Sequence, residues 1–260
     1  MTQSIANKVA IVTGGSRGIG RAICYGLAQE GCNVIVASRT EDDSQDSSEY
    51  EQYASGSIHN TCKTIVDNGG NAFAHKCDVS NASDIQSLCT FAHQKFGRID
   101  ILVSNAGIDC ESPVVDLPLS LIDDCLSVNI RSHLLLCKYA LPHIMDHGDG
   151  GSIFGVSSGA SRGYRKDRVG YSMSKAAVDR MFLSLAEEVK SHNIAVNVLS
   201  PGRVDTWMNR RGDWPGTAHI PMVGPDEIIP AAIWLAQQTS ATFTGNLVER
   251  SEFGITWGDI

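Results

Sequence analysis

Tyr171 and Lys175 stand four residues apart in the stretch YSMSK. Residues 169–191 carry apolar positions at helical spacing, so the two side chains share one helix face, with β-carbons about 5–6 Å apart. A phenol ordinarily titrates at about 10 and is a poor base at neutral pH. An ammonium ~4–6 Å away in a partly dry cleft is worth about 3–4 kcal/mol at an effective dielectric near 20. That is roughly two to three pKa units, which would bring the phenol near 7. A phenol so poised can pass a proton to or from an alcohol oxygen. On an exposed helix the same pair would do nothing, so the framework that carries it decides its meaning.

That framework reads as alternating strands and helices. Short, continuous apolar runs recur at 9–12, 34–37, 72–77, 101–103, 153–156 and 194–199, as expected of strands covered on both faces. Longer segments with helical spacing, such as RAICYGLAQE and DIQSLCTFAHQKF, lie between them. Gly31, Gly69, Gly97 and Gly150 stand where helices should end before the next strand. The pattern predicts a parallel sheet with helices on both sides. No repeat and no interdomain linker breaks it.

After the first run comes TGGSRGIG at 13–20, with glycines at 14, 18 and 20. A turn without β-carbons between a strand and a helix lets backbone N–H groups approach a pyrophosphate. Further short motifs follow in order: CDV at 77–79, SNAG at 104–107, VN at 128–129, VSS at 156–158, YSMSK at 171–175 and SPG at 200–202. Together, from about Lys8 to about Thr206, they resemble the short-chain dehydrogenase/reductase family in its compact cytosolic form.

The resemblance implies an α/β fold, a Rossmann-type doubly wound parallel sheet of about seven strands, as a single domain over residues 1–260. It implies interconversion of a ketone and a secondary alcohol by hydride transfer, with Tyr171 as general acid/base. Ser158, thirteen residues before Tyr171, matches the serine that hydrogen-bonds the substrate carbonyl. Ser157 competes for that place, but alternation along a strand lets only one of the two face the site. Asn129 matches the asparagine that holds a water behind the lysine. Lys175 would bind the nicotinamide ribose and acidify the phenol. For the cofactor, the resemblance assigns Gly14, Ser16, Arg17, Gly18, Ile19 and Gly20 to the phosphates, and Asp78 and Val79 to the adenine. Asn105 would steady the neighbouring strand, and Ala106 and Gly107 would let the cofactor lie close. Pro201, Gly202, Val204 and Thr206 would meet the nicotinamide end.

A nicotinamide enzyme specific for NAD usually ends its second strand with an acid on the ribose 2′-hydroxyl. Here Ser38 occupies that place and Arg39 follows, with Arg17 in the glycine turn. Guanidinium groups suit a 2′-phosphate, and Glu41 and Asp42 come two or more residues too late. The pattern predicts NADP(H). Two other readings stay open: a cofactor-sensing protein without turnover, and an epimerase or dehydratase step, which the compact length disfavours.

The remaining features are read more plainly. With 21 basic against 29 acidic residues, a net charge of −8 argues against a general nucleic-acid or anionic-membrane surface. No apolar run approaches the ~18 residues of a membrane span, and the N-terminus lacks a signal-peptide pattern. Eight cysteines without C-x-x-C spacing read as buried, reduced thiols in a cytoplasmic protein. His143 and His147 are four apart, yet read as a histidine-tipped helix end and not as a metal site. The acid-rich stretch 40–57 reads as a solvated insertion. Residues 206–225 hold two tryptophans and Arg210–Arg211, either a lid over the substrate with basic groups for an anionic one, or a solvated charge pair. The basic run 161–168 either flanks the site or faces water. RSEF at 250–253 departs from the family's acid-glycine turn, which puts subunit packing in doubt. The apolar run 133–144 agrees with the family's pairing of subunits into a homotetramer or homodimer.

Overall fold

The structure, a computed structural model, describes residues 3–42, 56–211 and 221–258. Its centre is a seven-stranded sheet built from β1 (Val9–Thr13), β2 (Asn33–Ser38), β3 (Asn71–Lys76), β4 (Ile101–Ser104), β5 (Gly151–Val156), β6 (Ile194–Ser200) and β7 (Leu247–Glu249). The order is β3-β2-β1-β4-β5-β6-β7 and every pairing is parallel. All residues of β1, β4 and β6 are buried, which is why their sequences are continuous apolar runs.

Successive residues of a strand face opposite sides, and the two sides carry separate cores. Val34 and Val36 pack with helices α1 (Gly18–Gln29) and α2 (Ile58–Asp67). Ile35 and Ala37 pack with α3 (Ala82–Phe96). Next come α4 (Leu119–Leu126) and α5 (Ser132–Asp146), then α6 (Val169–Val189), α7 (Trp207–Arg211) and α8 (Ile229–Ala236). Helix α5 packs on α3, and α6 lies on β6. The sheet reverses its winding between β1 and β4, which opens a crevice beyond the carboxyl ends of those strands.

The six strands expected from sequence are present, and the seventh is the short β7. Gly31, Gly69, Gly97 and Gly150 all have positive φ at the helix-to-strand turns. All eight cysteines are buried and free. His143 stacks on His93, with centroids 4.4 Å apart, whereas His147 Nε2 meets the Ile99 carbonyl at 2.9 Å. The two histidines thus have different partners. Among the described residues no cluster of three or more His, Cys, Asp or Glu could hold a metal, and no helix is long and apolar enough to cross a membrane.

Residues 43–55 of the acidic stretch, residues 212–220 of the 206–225 segment and the side chain of Arg211 lie outside the described residues. At its start, Glu41 pairs with Lys76 at 2.5 Å. At the C-terminus, Phe253 and Trp257 pack edge-on at 4.9 Å and both meet Trp234 of α8. RSEF therefore replaces the family's turn with an aromatic latch.

Candidate active site

The crevice starts at the glycine turn. Gly14 and Gly18 have φ of +70° and +54°, where side chains with a β-carbon are strained. A methyl group on Gly20 would lie 2.2 Å from the Gly14 carbonyl oxygen, and one on Gly14 would lie 2.8 Å from Asn105 Nδ2. One on Gly18 would lie 3.2 Å from Thr206 Cγ2, so Thr206 sits against the turn. Arg17, the N-cap of α1, gives no side-chain acceptor to the first-turn N–H groups. Those donors and the helix dipole suit a phosphate. Ile19 packs against the core beneath the turn.

At the end of β2, Ser38 Oγ lies 3.1 Å from Ser16 Oγ and accepts from Thr40 N at 3.2 Å. Arg39 is largely exposed, and its Nη1 is 3.9 Å from Asp78 Oδ2. Burial pushes the Asp78 carboxyl up, but bonds from Ser80 and the charge of Arg39 outweigh it and hold the group below its usual range. Val79 beside it is buried. Arg17, in the glycine turn, lies over Trp207, 4.9 Å from the ring centroid.

Beyond β4, Asn105 Nδ2 donates to the Thr13 carbonyl at 2.8 Å, and Asn105 N and Ala106 N both donate to Thr13 Oγ1. A methyl on Gly107 would lie 3.6 Å from Lys175 Nζ and 3.3 Å from Asn129 Oδ1. Asn129 lies in a π-helical turn, Ser127–Arg131, that follows directly on α4 and leads into α5, a distortion frequent at functional sites. Its side chain accepts from Ile108 N, donates to the Ile108 carbonyl, both at 2.8 Å, and reaches Ser174 Oγ at 3.1 Å.

Ser158 lies two residues past the end of β5, where extended backbone opens a tight turn. Its hydroxyl accepts from Ala160 N at 3.2 Å and lies near enough to the Tyr171 phenol to favour its ionised form. Ser157 is buried, with no partner for its hydroxyl among the described residues. Tyr171 is 6% exposed and Lys175 4%. Lys175 Nζ donates to the Val156 carbonyl at 3.0 Å and lies 5.8 Å from the phenol ring centroid.

The expected acidification of the phenol does not hold in this arrangement. Burial, then the charge of Asp109, pushes Tyr171 up to about 12, against the Ser158 hydroxyl and Arg168. Burial likewise lowers Lys175 to about 8, with Asp179 and Cys125 opposing. Desolvation disfavours the charged form of both groups, and it outweighs a lysine whose ammonium is directed to a carbonyl.

Val204 is buried, bridges to Val223 and accepts from Asn209 Nδ2 at 2.6 Å. Arg210 forms two bonds to Asp205, at 2.5 and 2.6 Å, so its charge is met within its own segment. The Pro201 carbonyl, next to Gly202, accepts from Arg250 Nε at 3.1 Å. Arg250 is a support that sequence reading missed, although the break in the family's C-terminal pattern marked its position. Arg168, Asp109 and Glu111 were also missed. Arg168 is 1% exposed and its guanidinium reaches Asp109 at 2.8 Å and Glu111 at 2.5 Å.

Known proteins are similar to this chain in sequence and fold. The model of the family described as short chain dehydrogenase matches residues 8–213. The Escherichia coli oxidoreductase YgfF is 34% identical, over 93% of this chain and 97% of its own. Glucose 1-dehydrogenase 2 of Bacillus subtilis is 31% identical, over 94% of this chain and 93% of its own. The solved structure of a metagenomic short-chain oxidoreductase in complex with NADP superposes with a TM-score of 0.75 at 28% identity, covering 95% of this chain and 98% of that one. With a matched family model and relatives that align along nearly the whole length, the chain belongs to the short-chain dehydrogenase family.

Proposed function

We propose that the protein is an NADP(H)-dependent oxidoreductase that interconverts a ketone and a secondary alcohol, with Tyr171 as the general acid. The observation that carries this is the burial of Tyr171 and Lys175 one helical turn apart on the same helix, with Ser158 beside the phenol. Gly14, Ser16, Arg17, Gly18, Ile19 and Gly20 would hold the pyrophosphate of the cofactor, and Asp78 and Val79 would flank the adenine. Ser38 and Arg39 would take the 2′-phosphate, since neither presents a carboxylate and Glu41 is engaged by Lys76. Asn105, Ala106 and Gly107, with Pro201, Gly202, Val204 and Thr206, would meet the nicotinamide end. The bound nicotinamide supplies the hydride.

The residues supply the rest. Ser158 donates a hydrogen bond to the carbonyl oxygen and polarises it. As hydride reaches the carbonyl carbon, the Tyr171 O–H bond breaks and its proton passes to that oxygen, which gives the alcohol. A phenol that burial keeps protonated suits the reducing direction. Lys175 orients the ribose and stabilises the phenolate left behind, and Asn129 holds Ile108 and Ser174 around it. With Arg210 tied to Asp205, an uncharged ketone fits better than an anionic one. A homodimer or homotetramer is part of the same reading. Most apolar residues of 133–144 are spent on the protein's own core, but Leu119, Leu134, Val169 and Met173 stay exposed on α4, α5 and α6. Eight buried free thiols suit a reducing cytoplasm.

The test is NADPH and NADH consumption against a panel of neutral ketones. We expect turnover with NADPH, lowered about 10²–10⁴-fold in Tyr171→Phe, with cofactor binding retained by fluorescence. Arg39→Ala should weaken NADPH by about 1.5–3 kcal/mol and leave NADH unchanged. Tight NADPH binding without turnover on any carbonyl would overturn the proposal in favour of a sensor.

A further inference from the structure

The segment before Tyr171 presents a buried cation that the reaction as described does not use. Arg168 is the N-cap of α6, and its guanidinium is split between Asp109 and Glu111 of the loop that follows β4. A second strap lies beside it, where Ser112 N donates to the Asp167 carbonyl at 2.8 Å. Asp167 itself has φ +57°, so the turn that delivers Arg168 holds a backbone conformation that few residues adopt. Between the two acids, Cys110 is wholly buried, and a methyl on Gly170 would lie 2.6 Å from its sulfur. The loop is thus pressed onto the first turn of the helix that carries Tyr171.

We propose that Arg168 is a positioning residue, which clamps Asp109 and Glu111 against the Tyr171 helix and sets the charge that the reacting phenol meets. This rests on the role assigned to Tyr171 above.

The groups around the phenol define the effect. Asp109 comes from the β4 loop and Cys125 from α4, and each raises the phenol's pKa; Arg168 from the helix start and the Ser158 hydroxyl lower it. Glu111 reaches the cluster through Arg168, Cys110 packs behind it, and Lys175 lies one turn along the same helix. Arg168 and Asp109 therefore act on the phenol with opposite signs while bonded to each other. Removing the arginine leaves the carboxylates unopposed and makes the phenol a weaker acid. Removing the Asp109 charge does the reverse.

The test measures the pH dependence of alcohol oxidation, which needs the phenolate, in Arg168→Met, Asp109→Asn and the double variant. The rising limb of kcat/KM should move up by about one pH unit in the first, down by a similar amount in the second and near the parent in the double. Arg168→Lys should restore most of the parent profile. Asp109→Asn keeps the side chain's size, so it reads the effect even if Arg168→Met fails to fold. Difluorotyrosine at position 171, followed by fluorine NMR, reports the same ionisation without any turnover. If the parent reduces no carbonyl, the functional reading falls while this titration still tests the clamp. Limbs and fluorine titrations that stay fixed, or that move in one direction for both single variants, would overturn the proposal.

Discussion

Lys175 carries a cost that the role proposed for it would explain. An ammonium at 4% exposure with a pKa held at about 8 is a charge that folding has stripped of water. Between about 8 and 10.5 the unfolded chain keeps a proton that the folded protein releases, so stability rises with pH across that window. Below about 8 the full cost is present. Lys175→Met should therefore raise thermal stability at neutral pH by about 1–3 kcal/mol and abolish the pH-dependent rise. Tyr171 acts the other way, since its contribution is lost only as pH climbs from 10 to about 12. Buried thiols raised from 9.0 lose stability with the opposite sign as pH climbs past that value, so the difference between parent and variant melts from about pH 7 to 8.5 isolates the lysine. A variant less stable than the parent at neutral pH would show that the bond to Val156 outweighs the desolvation. The residue types and the spacing of Tyr171, Lys175 and Ser158 were legible in the sequence. Their charge states were not, because spacing fixes where β-carbons lie, whereas burial and the direction of Nζ come from the rest of the fold.

Among the elements, the strands were the most legible part, because β1, β4 and β6 are covered on both faces and admit little but apolar residues. The turns that carry chemistry were legible only where a glycine marked them. Gly20 is one such case: its place beside the Gly14 carbonyl leaves 2.2 Å for a β-carbon. Gly20→Ala must push β1 and α1 apart, which moves the first-turn N–H groups that would meet the pyrophosphate. We expect cofactor affinity to fall at least about tenfold, a loss of about 1.4 kcal/mol, with circular dichroism unchanged. Unaltered affinity would mean that the turn relaxes freely. The π turn at Asn129 has no such marker, since SVNIR reads as ordinary helix. The basic run 161–168 was equally mute. Arg162 pairs with Asp179 and Glu249, Arg168 is buried between two acids, and Tyr164 is fully exposed, all within eight residues. A charge pattern on a loop does not say which of its members fold inward.

At the scale of the whole molecule, His133 joins three elements that sequence reading treated separately. It lies on α5, its Nδ1 meets Ser104 Oγ of β4 at 2.6 Å, and its ring packs edge-on against Phe182 of α6 with centroids 6.0 Å apart. Nothing in HLLLCKYA singles it out, and it looks like a surface residue at the start of an apolar stripe. It is 0% exposed, and burial, reinforced by the charge of Lys175, lowers it to about 3. Global unfolding would release it to an ordinary value of 6.5. Between 6.5 and about 3 the unfolded chain binds a proton that the folded protein refuses. Stability is therefore present above 6.5 and lost as pH falls, at a slope of about 1.4 kcal/mol per pH unit for one site. His75 and His143, also lowered chiefly by burial, contribute with the same sign. The diagnostic quantity is then the difference between parent and variant. His133→Gln keeps a hydrogen-bonding group for Ser104 but cannot titrate. Denaturant unfolding from about pH 6.5 to 4.5 should show a shallower loss of stability in the variant, by close to one proton's slope. Parallel curves would mean that acid opens the protein elsewhere first, before the junction of β4, α5 and α6 gives way.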